Sequence, residues 1–403
     1  MVVDGTMIDR HGYPRPLMER PEWTNLNGWW DFAVDTDASY THPDNVPFTR
    51  RILVPYSPET KLSGISDTSF YRAVWYRREI EAPELSGGRR LVLHFGAVDY
   101  AASVWVNGRL ATRHEGGYTP FRTDITDLLD ERRRATIVIR AEDDPLDLTK
   151  PRGKQDWQLE PHSIWYPRTT GIWQTVWMER VSATHLRYLR WTPVVERWEI
   201  GFETRIDGIV RDDLRLHVRL EANDKILADD IYSIVAGEVH RRIALSDPGI
   251  DDSRNELLWS PGSPILIRAH VRLIDAQGSL LDEVRSYTAL RSISIQGDRL
   301  VLNGRPYPLQ MVLDQGYYPA SGITAPDDNA LRRDVEMAKA MGFNGVRKHQ
   351  KIEDPRYLYW ADTLGLLVWE EMPSAYRFTR TSIERLTREW KDDRKSTRLN
   401  SSH

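Results

Sequence analysis

The chain has 403 residues, 40% hydrophobic and 28% charged; at roughly 150 residues per domain this is material for two or three cores and too much for one small module. Lys and Arg number 55 against 59 Asp and Glu, a formal net charge of −4 with no long block of one sign, so phosphate-backbone binding has no electrostatic footprint and no nucleic acid partner is expected. Cysteine is absent and the 11 His are scattered without an HExxH, which removes disulfides, thiolate nucleophiles and Cys-ligated zinc; neither a cofactor nor a metal site is expected. The opening MVVDGTMIDRHGYPRP lacks an apolar stretch of signal-peptide length and no run reaches about 18 apolar residues, so the expectation is a soluble cytoplasmic protein with no membrane partner.

Residues 1–183 read as one β-rich region. Tryptophan is concentrated in the first half of the chain: 11 of the 15 lie between Trp23 and Trp198, which suits large core fillers, with a minority left as sugar-stacking platforms. Short apolar runs separated by turn residues predict many strands and no helix of period 3.6. In AASVWVNGRLATRHEGG, Ala102, Val104 and Val106 alternate with Ser103, Trp105 and Asn107, and Asn107-Gly108 supplies a type I′ turn, so a hairpin is predicted. Leu91, Leu93 and Phe95, then Ile137 and Ile139, repeat the alternation, and the whole suits a jelly-roll β-sandwich. Asp99 falls in the loop before the hairpin, and His162 to Gln174 mixes aromatics with Arg168; Tyr166 and Arg168 together would suit a hydroxylated ligand.

Residues 184–291 show cleaner alternation and fewer Trp. Leu214, Leu216, Val218 and Leu220 interleave with charged residues, and Ile265, Ile267, Ala269, Val271 and Leu273 do the same, predicting an immunoglobulin-like sandwich without a Cys pair. His217 and His270 fall on polar faces, where no site role is expected.

Residues 292–393 change class to alternating strand and helix. An apolar run from Pro308 ends at Asp314; a helix from Asp327 or Asp328 carries Leu331, Val335 and Ala338 and stops at Gly342. A strand from Phe343 to Val346 ends at Arg347, Asp354-Pro355 starts a helix closed by Gly365, and Leu366 to Trp369 is a strand ending at Glu370-Glu371. Thr381 and Glu384 have capping-box spacing before Ile383, Leu386 and Trp390. Asp314, Arg347 and Glu371 therefore end three successive parallel strands, the edge where a (β/α)8 barrel builds its active site. About 100 residues cannot close a barrel that takes about 250, so the TIM barrel is incomplete. Residues 394–403, RKSTRLNSSH, lack periodicity, cut across the helix begun at Thr381 and are expected to be a non-native tail, the Asn400-Ser401-Ser402 sequon included.

The ordered motifs WTNLNGWWDFAVD, VDYAASVWVNGRLATRHEGGYTPFRTDIT, RTTGIWQTVWME, LWSPGSP, LVLNGRPYPLQ, MGFNGVRKH and DTLGLLVWEEMP, from about Pro14 to Asp393, resemble glycoside hydrolase family 2, which holds β-galactosidases, β-glucuronidases and β-mannosidases. The resemblance implies a fragment of a retaining β-glycosidase acting on terminal β-linked sugars, with one Glu as acid/base and another as nucleophile about 5 to 5.5 Å apart. In the family both belong to later barrel strands, so no catalytic residue is assigned in this chain. It implies supporting, substrate-binding roles instead: Arg347 positions the nucleophile carboxylate, Glu371 ends strand three, Asp314 and Gln315 stand where many members have Asn and His facing the sugar, His349 lies near a family His, and Asp99 matches a loop that in some members reaches the active site. Glu370 and Glu371, adjacent on a strand end, point oppositely and are not the catalytic pair. The expected partner is a carbohydrate, a homo-oligomer of the longer protein stays open, and the competing readings are a non-catalytic glycan-binding sandwich protein and a ligand-free scaffold.

Overall fold

The computed structural model describes residues 2–3, 6–7, 10–245 and 254–396. The sequon at Asn400-Ser401-Ser402 lies outside them. The strands first build a two-layer sandwich. One layer has six antiparallel strands in the order Arg109–Glu115, Ala101–Val106, Arg134–Glu142, Ala73–Glu81, Gly28–Asp35, Arg50–Val54; the other has four, Phe121–Asp124, Arg90–Phe95, Val176–Val181, Trp23–Asn25. Ala102, Val104 and Val106 point into the shared core with Leu91, Leu93, Phe95, Ile137 and Ile139, as their alternation predicts. The hairpin turn holds Asn107 at φ 49° and Gly108 at φ 74°, the two positive angles a type I′ turn needs. Trp105 departs from its expected polar face: it stacks on Trp75 with centroids 5.4 Å apart, under a flap carrying Tyr40, Val46 and Phe48. Trp30, Trp75, Trp173 and Trp177 are fully buried, so most tryptophans here are core.

A second pair of sheets follows: His185–Val194, Glu199–Asp207 and Glu238–Ala244 against Lys225–Ser233, Arg215–Ala222, Ile267–Ile274 and Leu280–Thr288. Leu216, Val218 and Leu220 face inward; His217 turns outward to Asp229 and Arg272, and His270 is exposed. The chain's early residues reinforce this sandwich. Met18 sits in its core, and the Ser286 hydroxyl donates to the Leu17 carbonyl at 2.6 Å.

Arg20 joins the two sandwiches. Its buried guanidinium donates to Asp282 at 3.1 and 2.8 Å, to Glu179 at 3.0 Å and to the Leu186 carbonyl at 2.7 Å. Glu179 belongs to the first sandwich and Asp282 to the second, so one cation satisfies an acid from each. Removing it strands two buried carboxylates.

The last part begins with a small antiparallel sheet, Ile293–Gln296, Arg299–Leu302 and Arg305–Pro306, and then turns parallel: Met311–Asp314, Gly345–Lys348 and Leu367–Glu370, in that order, with Val312, Val346 and Val368 in register. Helices Asp328–Ala340 and Pro355–Leu364 cover the valine face with Leu331, Val335, Ala338, Tyr357 and Ala361. Asp327 caps the first by accepting from the Ala330 N–H at 2.8 Å, Asp354 caps the second by accepting from Arg356 N–H at 2.8 Å, and Gly365 ends it at φ 82°. The other sheet face is open: Leu313 is 52% and Trp369 58% exposed on either side of Arg347.

The third helix, Arg380–Ser396, corrects two expectations. It does not break at Arg394, and its cap is Thr379 rather than Thr381, because Thr379 and Ser382 exchange hydrogen bonds at 2.7 and 3.2 Å while Glu384 pairs with Arg380. Ser382, Glu389 and Asp393 face inward, leaving Ile383 63% exposed. We expect Arg20→Met to cost about 3–5 kcal/mol in urea unfolding, the usual consequence of leaving buried carboxylates unpaired. A loss below about 1 kcal/mol would show that the two sandwiches do not depend on this contact.

Candidate functional site

The parallel strands end in a row of polar side chains that strand alternation sends to two sides. On the helix side, the Lys348 ammonium meets Asp314 at 2.7 Å and Glu353 at 3.0 Å, over the Tyr357 ring. Glu353 also pairs with Lys351 at 2.8 Å. Burial works against the Glu353 carboxylate, but Lys348 and Lys351 outweigh it and hold it at about 2. Glu370 points this way too, accepting from the Glu353 N–H at 2.6 Å. Asp314 therefore faces the ion network and not the open face expected for a sugar contact.

On the open side stand Arg347, His349, Gln315 and Glu371. The Arg347 Nε donates to Glu371, which also accepts from the Gln350 N–H at 3.3 Å and lies 3.8 Å from the His349 Nε2. Gln315 Nε2 lies 3.2 Å from His349 Nδ1. Burial lowers the His349 pKa, Lys154 and Arg347 lower it further, and Glu371 opposes them, so the imidazole is neutral at pH 7. Four of the six expected site residues thus meet, and Glu370 and Glu371 point apart as strand geometry requires.

The first sandwich closes one flank. Asp99 is not in a loop: Val98–Asp99 pairs as a short strand with Gly171–Ile172, and the side chain is buried, accepting from Gln155 Nε2 at 2.7 Å. Gln155 in turn lies 3.3 Å from the Tyr118 hydroxyl. Burial and then Asp143 push the Asp99 pKa up, against Gln155, Lys150 and Arg152, to about 7. Glu389 of the third helix, accepting from the Tyr118 N–H at 3.4 Å, is raised well above the carboxylate range by burial and by Asp99. The segment holding Gln155 lies on the strand-end loops: the N–H groups of Arg152 and Gly153 both reach the Ser374 carbonyl at 3.1 Å. Gly153 has φ 62°, and a Cβ there would fall on the Gln350 carbonyl oxygen, so only glycine permits the approach.

Arg168 does not face a ligand as expected. It is spent inside the sandwich on the Ser69 and Tyr71 carbonyls at 2.7 and 3.2 Å and above the Tyr71 ring. Tyr166 instead stacks on Tyr317 at 3.9 Å. Sequence reasoning missed Tyr118, Lys154, Gln155 and the Lys348–Lys351–Glu353 network; the dense charges of RKHQKIED were the one available signal. No cluster of three or more His, Asp or Glu placed to hold a metal is found among the described residues, and no helix among them is long and apolar enough to cross a membrane.

Comparison with known proteins places this arrangement. Residues 59–178 match the glycosyl hydrolase 2 galactose-binding domain-like family. A β-galactosidase of Thermoanaerobacter pseudethanolicus is 27% identical over 356 residues, covering 86% of this chain and 45% of the relative. A β-glucuronidase of Paenibacillus borealis is 24% identical over 385 residues, covering 90% of this chain and 60% of the relative. Among solved structures, Bacteroides uniformis β-glucuronidase 3 shares the fold at TM-score 0.75 and 20% identity, over 96% of this chain and 50% of that one. A glycosyl hydrolase family 2 member from Bacteroides cellulosilyticus does so at TM-score 0.72 and 21% identity, over 94% and 51%. The chain spans about half the length of these proteins.

The raised Asp99 pKa has a checkable sign. The native state holds a proton that the unfolded chain releases near pH 4, so stability falls as pH rises from about 4 to about 7 and levels off above. Asp99→Asn lacks this loss, so its urea midpoint should gain on the wild type across that window; a difference independent of pH would contradict a protonated Asp99. Residues 59–178 thus carry the glycosyl hydrolase 2 galactose-binding domain-like family, and over most of its length the chain is similar to β-galactosidases and β-glucuronidases and shares the fold of glycosyl hydrolase family 2 structures.

Proposed function

We propose that this chain carries the sugar-binding half of a retaining β-glycosidase acting on terminal β-linked sugars. Its parts are a jelly-roll domain to residue 183, an immunoglobulin-like sandwich over 184–291 and the first three strand-helix units of a TIM barrel over 292–393. The observation that supports this reading most is the state of Arg347. Glu371 anchors its Nε, while its two terminal nitrogens have no partner among the described residues and the side chain is 50% exposed on the open sheet face. A guanidinium fixed at one nitrogen and free at the other two is prepared to hold a carboxylate bidentately.

In a retaining mechanism that carboxylate is the nucleophile. It attacks the anomeric carbon while a second carboxylic acid gives its proton to the departing glycosidic oxygen, and water later reverses the covalent bond with the second group as base. No pair among the described residues fits those two roles: Glu371 is occupied by Arg347, and Glu370 and Glu353 belong to the helix-side network. The pair belongs to the further length that the relatives have. The residues here orient it: Arg347 holds the nucleophile ionised and in place, and neutral His349, bridged to Gln315, offers hydrogen bonds to sugar hydroxyls.

The relatives named β-galactosidase and β-glucuronidase support the same reaction class. A second reading, glycan binding without turnover, draws on Trp157, Trp165 and Tyr376, whose rings meet at 4.8 to 5.4 Å beside the site. The test is to extend the reading frame past Asp393 from the source DNA and assay the longer protein on nitrophenyl β-glycosides. We expect turnover that disappears when the Glu of a recovered Asn-Glu pair is replaced, and that falls roughly 100- to 1,000-fold in Arg347→Lys, which keeps the charge but not the fork. Sugar binding with no turnover would favour the second reading.

A further inference from the structure

The third helix meets the first sandwich through two kinds of contact. Arg385 donates to Glu115 at 2.9 Å and to Asp147 at 2.8 Å, and Arg388 donates to Glu115 at 2.5 Å. Burial works against both acids, but Arg388 and Arg385 at Glu115, and Thr149 and Arg385 at Asp147, outweigh it and hold them below the usual carboxylate range. These pairs keep their charges across neutral pH. Glu389, one turn after Arg385, is buried and has no cation of its own. Its Oε2 accepts from the Tyr118 N–H at 3.4 Å, and its Oε1 is buried without a hydrogen-bond partner. It packs on Gly116, where a Cβ would lie 3.0 Å from the Glu389 Cγ; on the next residue, Gly117, a Cβ would lie 2.6 Å from the Asp99 Oδ1. Two buried carboxyls from distant parts of the chain thus meet at one glycine pair.

The groups around this pair are acids, neutral side chains or cations already engaged. On the sandwich, Asp143 and Glu115 add like charge, Lys150 is paired with Asp143, and Arg152 donates to the Pro145 carbonyl at 2.9 Å. Burial keeps the phenols of Tyr100, Tyr118 and, from the strand-end loops, Tyr317 protonated, and keeps His114 neutral. On the helix itself, Arg385 and Arg388 are held by Glu115, and Asp392 and Asp393 are acids. Ionising Asp99 or Glu389 therefore places a charge in a dry contact beside a second acid. A glutamine at 389 would accept the same N–H bond without that cost, so what the carboxyl adds at this position is a proton that can leave.

We propose that Asp99 and Glu389 form a proton-operated latch: the third helix docks on the first sandwich while the pair is protonated and is released as the pair ionises. The helix follows the strand that ends beside Glu371 and covers Asp99 and Tyr118, so its release opens the sandwich flank of the candidate site. The docked pair binds protons that the released pair gives up. The latch is fully present below about pH 4, where both carboxyls are protonated in either state, and weakens as pH rises, through about 7 for Asp99 and further for Glu389.

Amide hydrogen exchange on the full 403-residue chain, read as protection relative to the intrinsic rate at each pH, tests the latch without needing turnover. Between about pH 6 and 8 we expect the protection of amides 385–391 to fall about tenfold per pH unit, the slope of one proton released on opening, while the Val176–Val181 strand keeps its protection. Glu389→Gln, which keeps the acceptor and cannot ionise, flattens this fall. Asp99→Asn, which removes the neighbouring charge, makes it level off at a lower pH. A wild-type profile without slope overturns the latch. So does a slope that survives unchanged in Glu389→Gln, which assigns it to another group, and so does a helix unprotected at every pH, which is not docked at all. If Glu389→Gln fails to fold, Asp99→Asn decides: a profile identical to the wild type overturns the proposal.

Discussion

An ammonium removed from water has to be met by oxygens, and Lys351 draws them from three segments of the chain. Its Nζ donates to the Gly316 and Ile323 carbonyls, each at 2.8 Å, pairs with Glu353 at 2.8 Å, and lies 5.7 Å from the centre of the Trp173 ring. Gly316 and Ile323 follow the first parallel strand, Glu353 follows the second, and Trp173 belongs to the first sandwich. Leaving any of these bonds unmade would cost a buried charge several kcal/mol. The loops that end the strands are held in one arrangement by this requirement, and the sandwich is held against them. Thr324 repeats the tie by donating to the Trp173 carbonyl at 2.7 Å, and Ile323 and Ile352 pack with Ala97 and Tyr118 in a small core of their own.

The functional consequence is that the candidate site is shared. Arg347, His349 and Glu371 come from the parallel strands, whereas Asp99, Lys154 and Gln155 come from a sandwich that precedes them by some two hundred residues of sequence. Rigid strands aim the first group. The second depends on the close approach at Gly153 and on paired short strands at Asp99. The helix-side network of Lys348, Glu353 and Lys351 touches no ligand face; it fixes the register of the strand ends so that alternate residues emerge on the open side.

Much of this could be read from the sequence, and the remainder fails for identifiable reasons. Period-2 alternation located the hairpin at Asn107-Gly108 and the strand through Leu216, Val218 and Leu220, because one face of each is buried. Capping residues located the helices begun by Asp327 and Asp354. Arg347 and Glu371 were found because a strand end is a position defined by local sequence, and His349 through the family resemblance. Asp314 ends a strand as well, yet its side faces Lys348, and a sheet's in-and-out phase is set by what packs on it. Arg168 looked available because nothing local revealed Ser69 and Tyr71 about a hundred residues earlier. The cap at Thr379 rather than Thr381 was a choice between two similar signals, settled by the direction in which Ser382 and Glu389 had to face.

The central claim is that the first sandwich and the strand-end loops form one folded surface within this chain. Hydrogen exchange on the full chain, followed amide by amide, tests it directly. The N–H groups of Arg152 and Gly153, bonded to the Ser374 carbonyl across that boundary, should exchange as slowly as those of the Val176–Val181 strand. Exchange at the rate of an open loop, with the sandwich strands still protected, would mean that the two parts separate readily and that no common site exists.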